Sequence, residues 1–130
     1  MKRYVCLLLV LVLLLSTTGC GAKASGAGSE EAMEFVGQLK IGWNLGNSLD
    51  VPGSSLFAET AWGNPETTEE MILDIKEMGF NAVRIPVSWS SHCNAEGVVN
   101  PERMARVHEV VDYAYKNGMY VILNTHHDTD

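Results

Sequence analysis

His126 and His127 stand side by side and are followed by Asp128 and, one residue on, Asp130. Imidazoles and carboxylates grouped in this way could ligate a divalent cation on a hydrolase. Ligand sets carried by strands skip a residue, however, so that both side chains face one way. Nothing else in the chain completes such a site, and there is no Cys-x-x-Cys. The sequence therefore implies no metal and no organic cofactor. Arg84 lies inside an otherwise apolar run, Ala82–Val87. A guanidinium there is expensive unless a carboxylate pairs with it. Asn47 and Asp50 follow another apolar run and suit either turn chemistry or polar binding. Cys93, the one cysteine in the folded part, reads as a packing or loop residue.

The elements that must position these residues are legible in three short apolar runs, Leu39–Leu45, Ala82–Val87 and Tyr120–Leu123. The last two are nearly continuous and β-branched, which suits strands buried on both faces of a parallel sheet. Two amphipathic segments separate the runs. The first is predicted as a helix over 68–78, with Thr67 as N-cap, Glu70 completing a capping box, and Gly79 as the stop. Met71, Ile72, Ile75 and Met78 form its apolar stripe. The second is predicted over 101–117, with Asn100 as cap and Pro101 at the first helical position. Met104, Val107, Val111 and Ala114 line its apolar face, with Val110 beside them.

The order strand, helix, strand, helix, strand implies parallel strands with crossover helices. A doubly wound dinucleotide domain would carry G-x-G-x-x-G after a strand, and none is present. A (β/α)8 TIM barrel places polar functional residues just past the C-terminal ends of its strands. Asn47, Asp50, Trp89, His126, His127 and Asp128 stand at such places, with Arg84 inside the second strand. The fold class expected is α/β, a (β/α)8 barrel of which three strands and two helices are present. Such a barrel takes roughly 250 residues, so the 130 residues here read as the first third of a longer protein.

Ahead of residue 35 the chain changes character. Lys2-Arg3 precede an apolar run, Tyr4–Leu15, too short to span a bilayer and shaped like an export signal. Its exit, Ser16-Thr17-Thr18-Gly19-Cys20-Gly21, resembles a bacterial lipoprotein processing site, with Thr17 where an aliphatic residue is usual. Residues 1–20 are therefore expected to be a signal peptide ending at a lipidated Cys20. Residues 21–34 are expected to form a flexible Gly/Ala/Ser linker, and 35–130 a catalytic-barrel segment. The protein would be exported, either held at the cell surface by lipid or secreted. The chain carries a net charge of −7, and loss of the signal leaves it more acidic still. That balance excludes nucleic acid as a partner.

Four segments together resemble glycoside hydrolase family 5, the bacterial cellulase family, in its endoglucanase and xyloglucanase branch. They are Ile41-Gly42-Trp43-Asn44-Leu45-Gly46-Asn47-Ser48-Leu49-Asp50, Glu59-Thr60-Ala61-Trp62-Gly63-Asn64-Pro65, Gly79 to Trp89, and Met119 to Asp128. They occur in the family's order and spacing. The resemblance implies a (β/α)8 barrel that hydrolyses β-1,4-glucans with retention, using two Glu residues on its fourth and seventh strands. Both lie beyond residue 130, so this chain alone is expected to be inactive. A non-catalytic glucan-binding lipoprotein, or a dead fragment, is the competing reading.

By the same resemblance, Arg84 holds the nucleophile carboxylate and His126 lines the sugar subsite next to the cleavage point. His127 serves the neighbouring subsite, while Asn47 and Asp50 bind the non-reducing side of the glucan. Trp62, in a loop, is the candidate for stacking on a pyranose, whereas Trp43 is expected in the core. A β-glucan is the partner implied, and the full-length enzyme is expected to be a monomer.

Overall fold

The computed structural model describes residues 27–53 and 58–128. The signal segment, Cys20 and the first part of the expected linker lie outside these residues. The chain divides into two units, residues 1–34 and 35–130. Helix α1, Ala27–Gln38, crosses that division. Residues 27–34, expected as flexible linker, are thus helical. The run Glu30-Glu31-Ala32-Met33-Glu34 consists of strong helix formers, which outweigh the Gly/Ala/Ser composition upstream.

Residues 35–130 build three parallel strands in the order β1-β2-β3. Strand β1 is Gly42–Asn44, β2 is Ala82–Val87 and β3 is Tyr120–Thr125. Helix α2, Glu69–Glu77, connects β1 to β2, and α3, Pro101–Tyr115, connects β2 to β3. The register pairs Asn44 with Arg84 and Arg84 with Ile122, so these three share one face of the sheet. Val83, Ile85 and Val87 share the opposite face and form a core with Ile72 of α2 and with Val107, Val110 and Ala114 of α3.

Local sequence explains most boundaries. Asn100 caps α3 by accepting from the N–H groups of Glu102 and Arg103, and Pro101 opens the helix. The cap of α2 is Thr68, whose hydroxyl accepts from the Met71 N–H. Thr67, the expected cap, is buried instead, and its N–H donates to the Glu59 carboxylate at 2.8 Å. The Glu59 carboxylate thus takes up the Thr67 N–H, and the cap moves one residue on to Thr68, with Met71 rather than Glu or Gln at the third helical position, so no capping box forms. Helix α2 closes at Gly79, where φ is +100°.

Strand β1 is shorter than its apolar run because its lower end is held by a side chain. Asn81 Oδ1 accepts from the Lys40 N–H at 2.9 Å, and Asn81 Nδ2 donates to the Gln38 carbonyl at 2.7 Å. Trp43, expected in the core, is 42% exposed and meets Phe80 edge to face. By register it shares the helix-covered face with Val83, where it borders a cavity lined by Met71, Ile72 and Ile75 of α2. The buried face of α3 also departs from expectation. Arg103 and Val110 are buried on it, while Met104 and Val111 are only half-buried.

Candidate functional site

The polar residues converge at the C-terminal ends of the strands. Val87 ends β2, and its carbonyl accepts from the His126 N–H at 2.9 Å, just past β3. The β3 chain then turns. His127 adopts φ +55°, a left-handed conformation uncommon for a residue with a bulky side chain. That turn breaks the strand alternation that would have sent the two imidazoles to opposite faces. Their ring centroids lie 4.2 Å apart.

Asp50 reaches the same place from the β1 loop. Its carboxylate oxygen and one ring nitrogen from each histidine all lie within 4.8 Å of one another. Asp50 is buried, and its Oδ1 accepts from the Ser48 N–H at 2.8 Å. One carboxylate and two imidazoles so grouped can present acceptors and donors to a row of hydroxyls, or ligate a cation. Asp128 does not join them. Its carboxylate accepts from the N–H of Trp89 at 2.9 Å and of Ser90 at 2.8 Å, and so caps the loop after β2. Burial alone would raise the Asp128 carboxyl, but these N–H groups hold it below the usual carboxylate range. Asp128, committed to backbone, is thus not placed as a ligand beside the two histidines, and Asp130, the other carboxylate of the metal-hydrolase alternative, lies outside the described residues.

Arg84 projects from the sheet face opposite the helices and donates from Nη1 to Asn44 Oδ1 at 2.5 Å. Among the described residues it forms no ion pair. Asn47 is exposed and left-handed, with φ +60°, which Asn tolerates. Its carbonyl, with that of Gly46, accepts from Asn64 Nδ2 at 3.1 and 2.9 Å. Trp62 is 50% exposed and stands edge-on to His127, with centroids 6.1 Å apart. Asn47, Asp50, Trp62, His126 and His127 thus stand past the strand ends, while Arg84 lies within β2 on the sheet face turned away from the helices. Sequence reasoning missed Asn44 and Asn64. Both lie inside segments it had singled out, but the strand register shows the partner of Asn44 and only the folded loop shows those of Asn64.

The loop that carries Trp62 is fastened to α3. Glu59 is buried and paired with Arg106 at 3.0 Å, and Arg106 also donates to the Thr67 carbonyl at 2.7 Å. Burial alone would raise the Glu59 carboxyl. The Arg106 guanidinium and the Thr67 N–H outweigh it and hold the group below the usual range.

With this geometry established, the likenesses to known proteins can be placed on it. The profile of the family described as Cellulase (glycosyl hydrolase family 5) matches residues 44–130. Endoglucanase A of Ruminococcus albus is 52% identical over 102 residues, which cover 76% of this chain and 28% of that protein. A GH5-4 broad specificity endoglucanase from Ruminococcus flavefaciens superposes with a TM-score of 0.73 at 50% identity, covering 75% of this chain and 29% of the other. XEG5A, a xyloglucan-specific endo-β-1,4-glucanase from a metagenomic library, solved in complex with cellotriose, gives 0.72 at 47% identity, covering 75% and 30%. The chain thus spans less than a third of the length of these relatives. Its three parallel strands are part of the (β/α)8 barrel of those structures. From sheet order, strand-end residues and family profile together, the chain belongs to the cellulase family, glycosyl hydrolase family 5.

Proposed function

We propose that this chain supplies the first three strands, and the glucan-holding side of the active site, of an enzyme that hydrolyses β-1,4-glucans. The observation that carries this reading is the convergence of Asp50, His126 and His127 within 4.8 Å, with Trp62 edge-on to His127. A flat indole offers a face to a pyranose, and the three polar groups match its hydroxyls. Asn47 extends the polar row along the non-reducing side. Arg84, beside this row, would hold the nucleophile carboxylate by a charge-assisted hydrogen bond and keep it ionised.

Retaining hydrolysis needs two carboxyl groups about 5 Å apart across the scissile bond. In this reading they are Glu residues on the fourth and seventh strands, outside residues 1–130. The experiment is hydrolysis of soluble cellulose and xyloglucan by the complete enzyme and by residues 21–130 alone. Turnover by the complete enzyme with the original anomeric configuration kept, and none by residues 21–130, is expected. Turnover by residues 21–130 alone would sink the assignment of both Glu residues to later strands.

The protein is further read as exported, held at the surface through lipid on Cys20 or secreted, and as monomeric when complete. The basic start, the short apolar run and the small-residue exit support export. Mass spectrometry of the mature N-terminus tests it. A diacylglyceryl-modified Cys20 is expected, and cleavage at any other bond with an unmodified thiol would refute the lipid anchor.

A further inference from the structure

Ser88 lies just past the end of β2, fully buried, and ties together the three strand ends that carry the site. Its N–H donates to the Leu49 carbonyl at 3.0 Å. Its Oγ lies 2.7 Å from the Asp50 carbonyl and 2.7 Å from the His126 carbonyl, so one hydroxyl proton serves both loops in turn. Its own carbonyl is met by Arg103 Nη2 at 3.4 Å, and the same nitrogen donates to the Leu49 carbonyl. Apart from that of Ser88, the carbonyls held in this way belong to Asp50 and His126 themselves, or to the residue before Asp50.

Arg103 is the anomaly that gives the arrangement its meaning. It is 1% exposed and makes no ion pair among the described residues, and its Nε has no partner there. A buried guanidinium without a carboxylate is costly. It occupies the first place in the buried stripe Arg103, Val107, Val110, Ala114 of α3, where an aliphatic side chain would pack without that cost. Satisfying the Leu49 carbonyl does not require it, because the Ser88 N–H already donates there. What Arg103 adds is a rigid link from the outer helix to the β1 loop one residue before Asp50.

We infer that Ser88 and Arg103 are positioning residues that set Asp50 against His126, and so fix the affinity of this site for β-glucan. Neither side chain reaches the sugar, and both act through backbone carbonyls. The inference deepens the proposed function and rests on it.

The test is made in the complete enzyme with soluble cello-oligosaccharides. Ser88→Ala and Arg103→Met are expected to raise KM about tenfold while kcat stays within about twofold, with Ser88→Thr and Arg103→Lys recovering most of the loss. The thermal midpoint of Arg103→Met should not fall, because a buried charge is removed. A merely structural role predicts the reverse: a lower midpoint, kcat reduced with the folded fraction, and KM unchanged. That pattern overturns the inference. If the wild-type enzyme neither binds nor cleaves the oligosaccharides, the glucan reading fails by itself. The positioning pair is then decided by the His126 imidazole resonances, which should move in Ser88→Ala and stay in place in the exposed control Lys116→Ala. Identical spectra in both would overturn it.

Discussion

Arg84 Nη1 donates to Asn44 Oδ1 at 2.5 Å, between residues paired in register on adjacent parallel strands. In-register residues of neighbouring strands lie on the same face, so the short amide of β1 lies beside the guanidinium at the site end of the sheet. The amide neutralises no charge and competes with no carboxylate, so it orients Arg84 while leaving its remaining donors available.

Arg84→Ala in the complete enzyme should lower kcat/KM about 100-fold or more, as loss of a preorganised charged donor does. Asn44→Ala should lower it only about fivefold, because the charge survives and its orientation is loosened. Steady-state kinetics on a soluble glucan checks both. Equal losses would mean that Asn44 does more than orient Arg84.

Trp62 and His127 touch edge to face at 6.1 Å. Each substituted singly by Ala should weaken binding of cello-oligosaccharides about tenfold, near the 1.4 kcal/mol that a tenfold change represents. The double variant should lose less than the product of the two, because each ring helps to hold the other. Calorimetric titration of the four proteins measures the coupling, and strict additivity would count against a shared subsite.

Glu59 and Arg106 pair at 3.0 Å between the Trp62 loop and α3, with Glu59 buried. Glu59→Gln removes the buried partner of Arg106, which still pairs with Glu109 at 2.6 Å, and should cost about 2 kcal/mol at neutral pH. Because the folded Glu59 carboxyl is held below its usual range, its contribution is present above the unfolded value. It is lost as pH falls through the folded value. The gap in thermal midpoint between wild type and Glu59→Gln should therefore close as the solution is acidified below about pH 4. A gap independent of pH would refute the ion pair as its source.

His92 is buried, and its Nε2 has no partner among the described residues. Burial lowers its pKa, the positive charge of Arg103 lowers it further, and Asp128 opposes them. The unfolded chain then takes up the proton first, and stability falls as pH drops below the ordinary histidine value of about 6.5. Replacing His92 with Gln should remove this part of the acid limb. Thermal midpoints at pH 7.5 and 5.5 are expected to differ less in the variant than in the wild type, and an unchanged difference would rule His92 out.

The order of strands and helices was legible because each rests on local pattern. Ala82–Val87 is a strand because it is apolar and largely β-branched, and it coincides with β2. Asn100-Pro101 is a helix start by side-chain chemistry alone, and α3 begins there. The misplaced cap at Thr67 depended on Glu59, a side chain outside the helix that no pattern within α2 reveals. Arg103 was invisible for the same reason, since a charged residue in a helix reads as solvated until its surroundings are known.

The candidate site divides along the same line. The sequence by itself determined which residue types stand at the ends of the strands: Asn47 and Asp50 after the first, Arg84 within the second, His126 and His127 after the third. That information is local, because strand length and turn chemistry are set by neighbours along the chain. Only the tertiary structure decided that these residues meet. Parallel register brings Asn44 beside Arg84, the left-handed turn at His127 swings two adjacent imidazoles to one side, and Ser88 draws the Asp50 and His126 carbonyls to a single hydroxyl. The first and the last are contacts between segments 38 to 40 residues apart, with geometry fixed by packing and hydrogen bonding across the sheet. The turn at His127 places the imidazoles where those contacts hold the strand ends.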